Sequence, residues 1–193
     1  MSNLIIALRT SLATLLLVGV AYPLGVTVVG QLIFPREARG GLIHDVQGDV
    51  RGSHLLGQAF TLPAYFQGRP SANAYDPLNS GGSNLGPSAA KLVDRVRQDI
   101  DRLQRENPNA PGRVPAELVT TSASGLDPHV SPAAARWQLP RVAKARGVEL
   151  SDVEAILARH EEGRSLGILG ESTVNVLELN LALDQRFGRP GTK

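Results

Sequence analysis

From Thr10 to Pro35 the chain runs for 26 residues without a charged side chain, bracketed by Arg9 and Arg36. As a helix rising about 1.5 Å per residue, such a stretch reaches roughly 39 Å, more than the ~30 Å hydrocarbon core of a bilayer. Residues 10–35 are therefore predicted to form one transmembrane helix in contact with membrane lipid. The remaining 158 residues hang from it as a domain over 36–187 and a disordered tail over 188–193. A cleaved signal peptide needs an apolar core of ~7–15 residues and a small-residue cleavage site, whereas this run is longer and ends in Leu32-Ile33-Phe34-Pro35-Arg36. The core helix of a soluble protein seldom stays uncharged for so long. Gly19, Gly25 and Gly30 let a second helix approach closely. Pro23 removes a backbone donor and should bend the helix, a defect tolerated where neighbours satisfy the freed carbonyl. Gly19, Pro23 and Gly30 are thus expected on a face that meets a partner.

Beyond Pro35, 19 Lys and Arg nearly balance 18 Asp and Glu, so no basic face is implied and nucleic acid is not an expected partner. With no Cys, disulfides, thiolate catalysis and Cys-ligated metal are excluded. Residues 36–59 alternate short apolar pieces (Leu42, Ile43, Val46, Val50, Leu55, Leu56) with glycines, a pattern of short strands and turns. Residues 60–87 carry Pro63, Pro70, Pro77 and Pro87 with Phe60, Tyr65, Phe66 and Tyr75, a long loop whose aromatics are expected at a partner interface. Four helices follow by periodicity. The first spans Ser88 to Gln104, with Pro87 at its opening position. The second spans Ser131 to Gly147, where Pro140 must kink or split it. The third spans Ser151 to His160, opened by a Ser151/Glu154 capping box, and the last spans Val174 to Phe187, part of which also fits strand alternation. The domain reads as α+β, helix-rich, anchored by one transmembrane helix.

Two clusters carry possible chemistry. Ser80-Gly81-Gly82-Ser83-Asn84, just ahead of the first helix of the domain, could present backbone N–H groups to an anion, contact a partner, or simply form a turn with positive φ at several positions. A Walker A loop is excluded, because Pro87-Ser88 stands where that motif needs Lys and Ser/Thr. The second cluster, Thr120 to His129, holds Ser122, Ser124, Asp127 and His129. Residues so close in sequence do not readily line up as a triad, and no G-x-S-x-G elbow is present. Polar turn chemistry fits better, with Asp127-Pro128 initiating a turn. The four His have no zinc-site spacing, so neither a metal nor a catalytic residue is predicted. Trp137 is expected as a core or interface anchor.

The blocks GQAFTLPAYFQGRPSA, YDPLNSGGSNLGPS, LVTTSASGLDPHVSPAAARWQLPRVAKARG and GESTVNVLELNLALDQ, behind one N-terminal membrane helix, closely resemble the KdpC subunits of bacterial Kdp-type potassium-transporting ATPases. The resemblance implies a non-catalytic accessory subunit, with a channel-like potassium-binding subunit, a P-type ATPase subunit and a small single-helix subunit as partners. It implies no covalent cofactor. It also implies a catalytic chaperone that raises the ATP affinity of the ATP-hydrolysing subunit, ATP acting through the complex. Direct nucleotide contact by residues 80–84 is the alternative. The location implied is the bacterial inner membrane, single-pass. Arg36 and Arg39 against Arg9 and the chain's amine bias the domain slightly toward the cytoplasm, but long domains translocate largely regardless of charge. With the resemblance, the expectation is a cytoplasmic N-terminus and a periplasmic domain.

Overall fold

The computed structural model describes residues 2–45 and 48–191, so Val46 and the tail residues Thr192 and Lys193 lie outside the described residues. It divides into two units, Met1–Arg51 and Gly52–Lys193.

In the first unit, helix α1 (Ser2–Leu16) passes through one π-helical turn (Leu17–Ala21) into α2 (Tyr22–Ile33). The apolar helix Asn3–Ile33 is 31 residues long, enough to cross a bilayer. It starts earlier than Thr10 because Leu4, Ile5, Ile6 and Leu8 continue the apolar run past Arg9. It stops at Ile33 because the residue before a proline is pushed out of the α region, and Phe34 sits at φ −126°. The defect imposed by Pro23 is absorbed within the helix, where the widened turn lets the Tyr22 N–H reach the Leu17 carbonyl. The Thr27 hydroxyl donates to the Pro23 carbonyl at 2.8 Å. Behind a short 3₁₀ turn (Glu37–Arg39), the glycine-punctuated stretch forms the short strands expected of it, β1 (Leu42–His44) paired with β2 (Val50–Ser53), the second of which runs two residues past the unit boundary at Arg51. The Arg51 Nε donates to Asp45 Oδ2 at 2.7 Å.

The second unit is α+β. Its centre is a three-stranded antiparallel sheet of β3 (His129–Val130), β5 (Thr173–Asn175) and β4 (Glu161–Glu162), with β5 in the middle. Val174 lies opposite both Val130 and Glu161. Around the sheet lie α4 (Pro132–Arg146), α5 (Leu150–Arg159) and α6 (Val176–Phe187). Val130, Trp137, Val142, Val153, Leu157, Val174, Leu179 and Leu183 form one core with Phe66 and Leu103. Trp137 is therefore a core anchor. Helix α3 (Ala90–Glu106) buries only Leu103 fully.

Several local expectations change. Pro87 lies in the turn ahead of α3, which opens at Ala90 behind an uncapped Ala89. Pro140 leaves α4 unbroken, since Ser131 caps it by accepting from Ala134 N at 3.2 Å and Gly147 ends it at φ 66°. The capping box at Ser151 is absent: α5 begins one residue earlier, at Leu150, with Glu149 at the cap position, so Ser151 lies inside the first turn. The segment from Val174 is strand first and helix second, switching at Asn175, whose side chain caps α6 by accepting from Glu178 N at 3.2 Å.

Candidate functional site

Residues 54–89 contain no helix or strand, yet residues 63–67 are pinned by side chains from the helices. Asn180 on α6 accepts from Phe66 N at 2.8 Å and donates to Phe66 O at 2.9 Å. Gln138 on α4 does the same to Gln67, at 2.8 and 3.0 Å. Two amide side chains thus stand in for a neighbouring strand and satisfy four backbone groups. Next to them Arg141, 5% exposed, donates to the carbonyls of Pro63 at 2.6 Å and Tyr65 at 3.0 Å. Burial, opposed by the field of Glu106, pulls its pKa down to about 10. Arg146 donates to Ala64 O at 2.7 Å and pairs with Asp184 at 2.9 Å, its guanidinium 5.1 Å from the Tyr65 ring centroid.

The clasp decides which loop aromatics remain available. Phe66 has no exposed surface, so the expectation that it belongs to a partner interface is corrected: its backbone is gripped by Asn180 and its ring fills the core. Phe60 and Tyr65 are half-buried, their rings 5.4 Å apart. The Tyr65 hydroxyl donates to Asp184 at 2.8 Å. Tyr75, also half-buried, lines a cleft of about 380 Å³ with Phe60, Arg69, Asp99 and Arg102. Burial, then the charge of Asp127, raises the pKa of Tyr75.

The glycine-rich stretch and the serine-rich cluster form one seam. Gly81 N donates to Ser124 O at 2.8 Å, Ser80 Oγ donates to the same carbonyl at 3.0 Å, and Ser83 Oγ lies 3.3 Å from Thr121 Oγ1. A Cβ on Gly82 would come within 3.1 Å of the Ala123 carbonyl oxygen. One on Gly125 would come within 2.8 Å of Gly81 O, at a backbone φ of +69°. In the stretch itself only Asn84 has positive φ, at 51°, so the several-fold positive-φ turn is replaced by close approach of two backbones. The serine-rich strip behaves as turn chemistry requires: Leu126 N donates to Ser124 Oγ at 3.1 Å and His129 N to Asp127 Oδ1 at 3.0 Å. Arg69 bonds Asp127 at 3.2 Å and Thr121 O at 3.4 Å, tying the loop to this strip. Among the described residues no hydrogen bond joins Ser122 or Ser124 to His129. Nor is any group of three or more His, Asp or Glu placed to hold a metal ion.

Of the expected site residues, Ser80 to Ser83 meet Thr121 to Ser124, Tyr65 joins the clasp, and Gly19, Pro23 and Gly30 lie on the apolar helix. A Cβ at Gly30 would meet nothing within 4 Å, so nothing in the chain's own packing requires that glycine. The sequence reading missed Gln138, Arg141, Arg146 and Asn180. Their signal was a polar residue inside an apolar run, as with Asn180 between Leu179 and Leu181.

A helix long and apolar enough to cross a bilayer, followed in the sequence by an α+β domain built around a pinned loop, is the plan of a domain with one candidate membrane anchor. The profile of the family described as "K+-transporting ATPase, c chain" matches residues 4–185. The potassium-transporting ATPase KdpC subunit of Myxococcus xanthus is 57% identical over 189 residues, covering 97% of this chain and 90% of that protein. The KdpC subunits of Koribacter versatilis (51% over 184 residues, 94% of each chain) and Rhodospirillum rubrum (55% over 177 residues, 91% of each) are similar as well. The chain belongs to the family of the K+-transporting ATPase c chain, the KdpC subunits.

Proposed function

We propose that this subunit is non-catalytic: it stabilises the ATPase assembly and, as a catalytic chaperone, raises the ATP affinity of the ATP-hydrolysing subunit by coupling to its conformation. The observation that carries this reading is the seam. Gly81 N and Ser80 Oγ are spent on Ser124 O, and Gly82 is pressed on Ala123, so this stretch is committed to packing against the serine-rich strip, which supports a structural role for it over a nucleotide cradle. The 193 residues contain neither a Walker A loop nor an Asp-Lys-Thr-Gly phosphorylation motif. An effect on nucleotide then passes through differential binding of the partner's conformations. The partners are the channel-like potassium-binding subunit, the P-type subunit and the small single-helix subunit. Gly19, Pro23 and Gly30 offer the face for a helix of the first.

In this reading the N-terminus is cytoplasmic and the domain periplasmic, where no ATP pool exists. Photolabelling of the purified complex with an azido-ATP analogue tests it. Expected are no adduct on this chain and a several-fold higher ATP KM when the chain is omitted; an adduct within residues 80–84 would establish the direct nucleotide-binding alternative. Lys193→Cys gives an independent check, because the chain has no other Cys. An impermeant maleimide should label it in intact spheroplasts, and labelling only after lysis would overturn the periplasmic placement.

A further inference from the structure

Between β4 and β5 the chain makes a short hairpin over residues 163–172. Its turn runs from Ser165 to Ile168, with Leu166 at φ 53° and Gly167 at φ 79°. Ile168 N and Leu169 N both reach Ser165 O, at 3.3 and 2.9 Å, and Gly167 N reaches Arg164 O at 2.9 Å. Two consecutive left-handed residues make a primed turn, for which Asn, Asp or Gly is the low-cost choice at the first position. A branched aliphatic residue there is a backbone outlier. Among the described residues little covers Leu166 to offset this, since it is 88% exposed, and Ile168 and Leu169 beside it are 75% and 57% exposed. The local rule is broken in order to hold three aliphatic side chains outward, which is the kind of strain that marks a contact site.

We propose that this hairpin is a plug that seats in an apolar socket on another protein subunit of the transport complex, an inference that rests on the accessory-subunit reading above. A protein socket is favoured over lipid on two grounds. The turn fixes the three side chains in one geometry, which a bilayer does not read and would accept equally from an unstrained loop. The charges around the tip are Glu162, Arg164 and Glu171, without the basic excess that draws a loop to anionic headgroups. The same charges suit a socket with an apolar floor and a rim carrying cationic or N–H donor groups.

The test is made in the whole detergent-solubilised complex. Leu166→Ser/Ile168→Ser should lower recovery of the other subunits with this chain about tenfold at equal expression. Leu166→Asn, which suits the left-handed backbone, should raise the chain's own Tm while still lowering recovery; this separates docking from folding. Full recovery with both variants overturns the plug and leaves the subunit reading standing, whereas failure of the wild-type chain to co-purify overturns both. Ile168→Cys carrying benzophenone maleimide should crosslink to another subunit of the complex. Adducts confined to lipid or to a second copy of this chain overturn the proposal.

Discussion

Residues 63–67 and residues 163–170 are both irregular chain, yet the first is built into the core and the second stands clear of it. The first segment is gripped backbone atom by backbone atom by Gln138, Arg141, Arg146 and Asn180, and it sends Phe66 inward. The second makes its hydrogen bonds within itself and sends Leu166 and Ile168 outward. Polar side chains were placed where a loop had to be immobilised, and apolar ones where nothing in the chain receives them. A pinned loop gives the domain its shape, and an unpinned apolar tip is available for contact.

The sharpest way to break this contrast is to remove a pin. Asn180→Leu keeps the volume and orphans the Phe66 N–H and C=O in the core, which should cost about 3 kcal/mol, since each buried unsatisfied group costs ~1–3 kcal/mol. Urea unfolding measures it, and a loss under about 1 kcal/mol would mean that the loop re-pairs and the clasp is dispensable. The seam comes next. Gly125→Ala forces a Cβ onto Gly81 O and Asn73 at a left-handed φ, with an expected cost of about 2 kcal/mol and faster proteolysis between residues 73 and 84. Gly82→Ala meets only a 3.1 Å contact at ordinary φ and should cost about half as much. Equal effects at the two glycines would contradict the geometry given for them. At the outward tip the sign reverses: Leu166→Asn should stabilise the isolated chain by about 0.5–1 kcal/mol, read as a higher urea midpoint.

The anchor, the glycine-punctuated strands and the helical segments were legible because periodicity, charge-free length and punctuation are local signals. The loop's internal order was not, because the groups that pin Phe66 and Gln67 come from residues 114 and 71 positions away in sequence. The two-residue strands β3 and β4 are likewise too short to announce themselves and exist because β5 lies between them. Of the candidate site, the two clusters were found separately. What could not be read was that they touch, since glycine serves a positive φ and a close backbone approach equally well. The expectation of Phe66 at a partner interface fails on a related ground: in an irregular stretch no periodicity tells which aromatic turns inward, and the grip of Asn180 on its backbone lies far away in sequence.

The smallest effect sharpens the contrast from the side of pH. Tyr65 lies at the edge of the clasp, where burial first, and then its hydrogen bond to Asp184 and that residue's charge, push its pKa up to about 12. Folding therefore favours the protonated phenol. Below pH ~10 both folded and unfolded chains hold this proton and its contribution to stability is constant. As pH rises from ~10 toward about 12, the unfolded chain releases the proton while the folded chain keeps it; the unfolded state then binds fewer protons and stability falls. Tyr65→Phe removes this dependence but keeps the ring that Arg146 covers. Urea midpoints of the two chains should differ most at pH 8–9 and converge as pH approaches 12. A difference that stays flat across that window would mean that the Tyr65–Asp184 bond adds nothing, leaving Arg141, Arg146 and the two amides as the whole of the clasp.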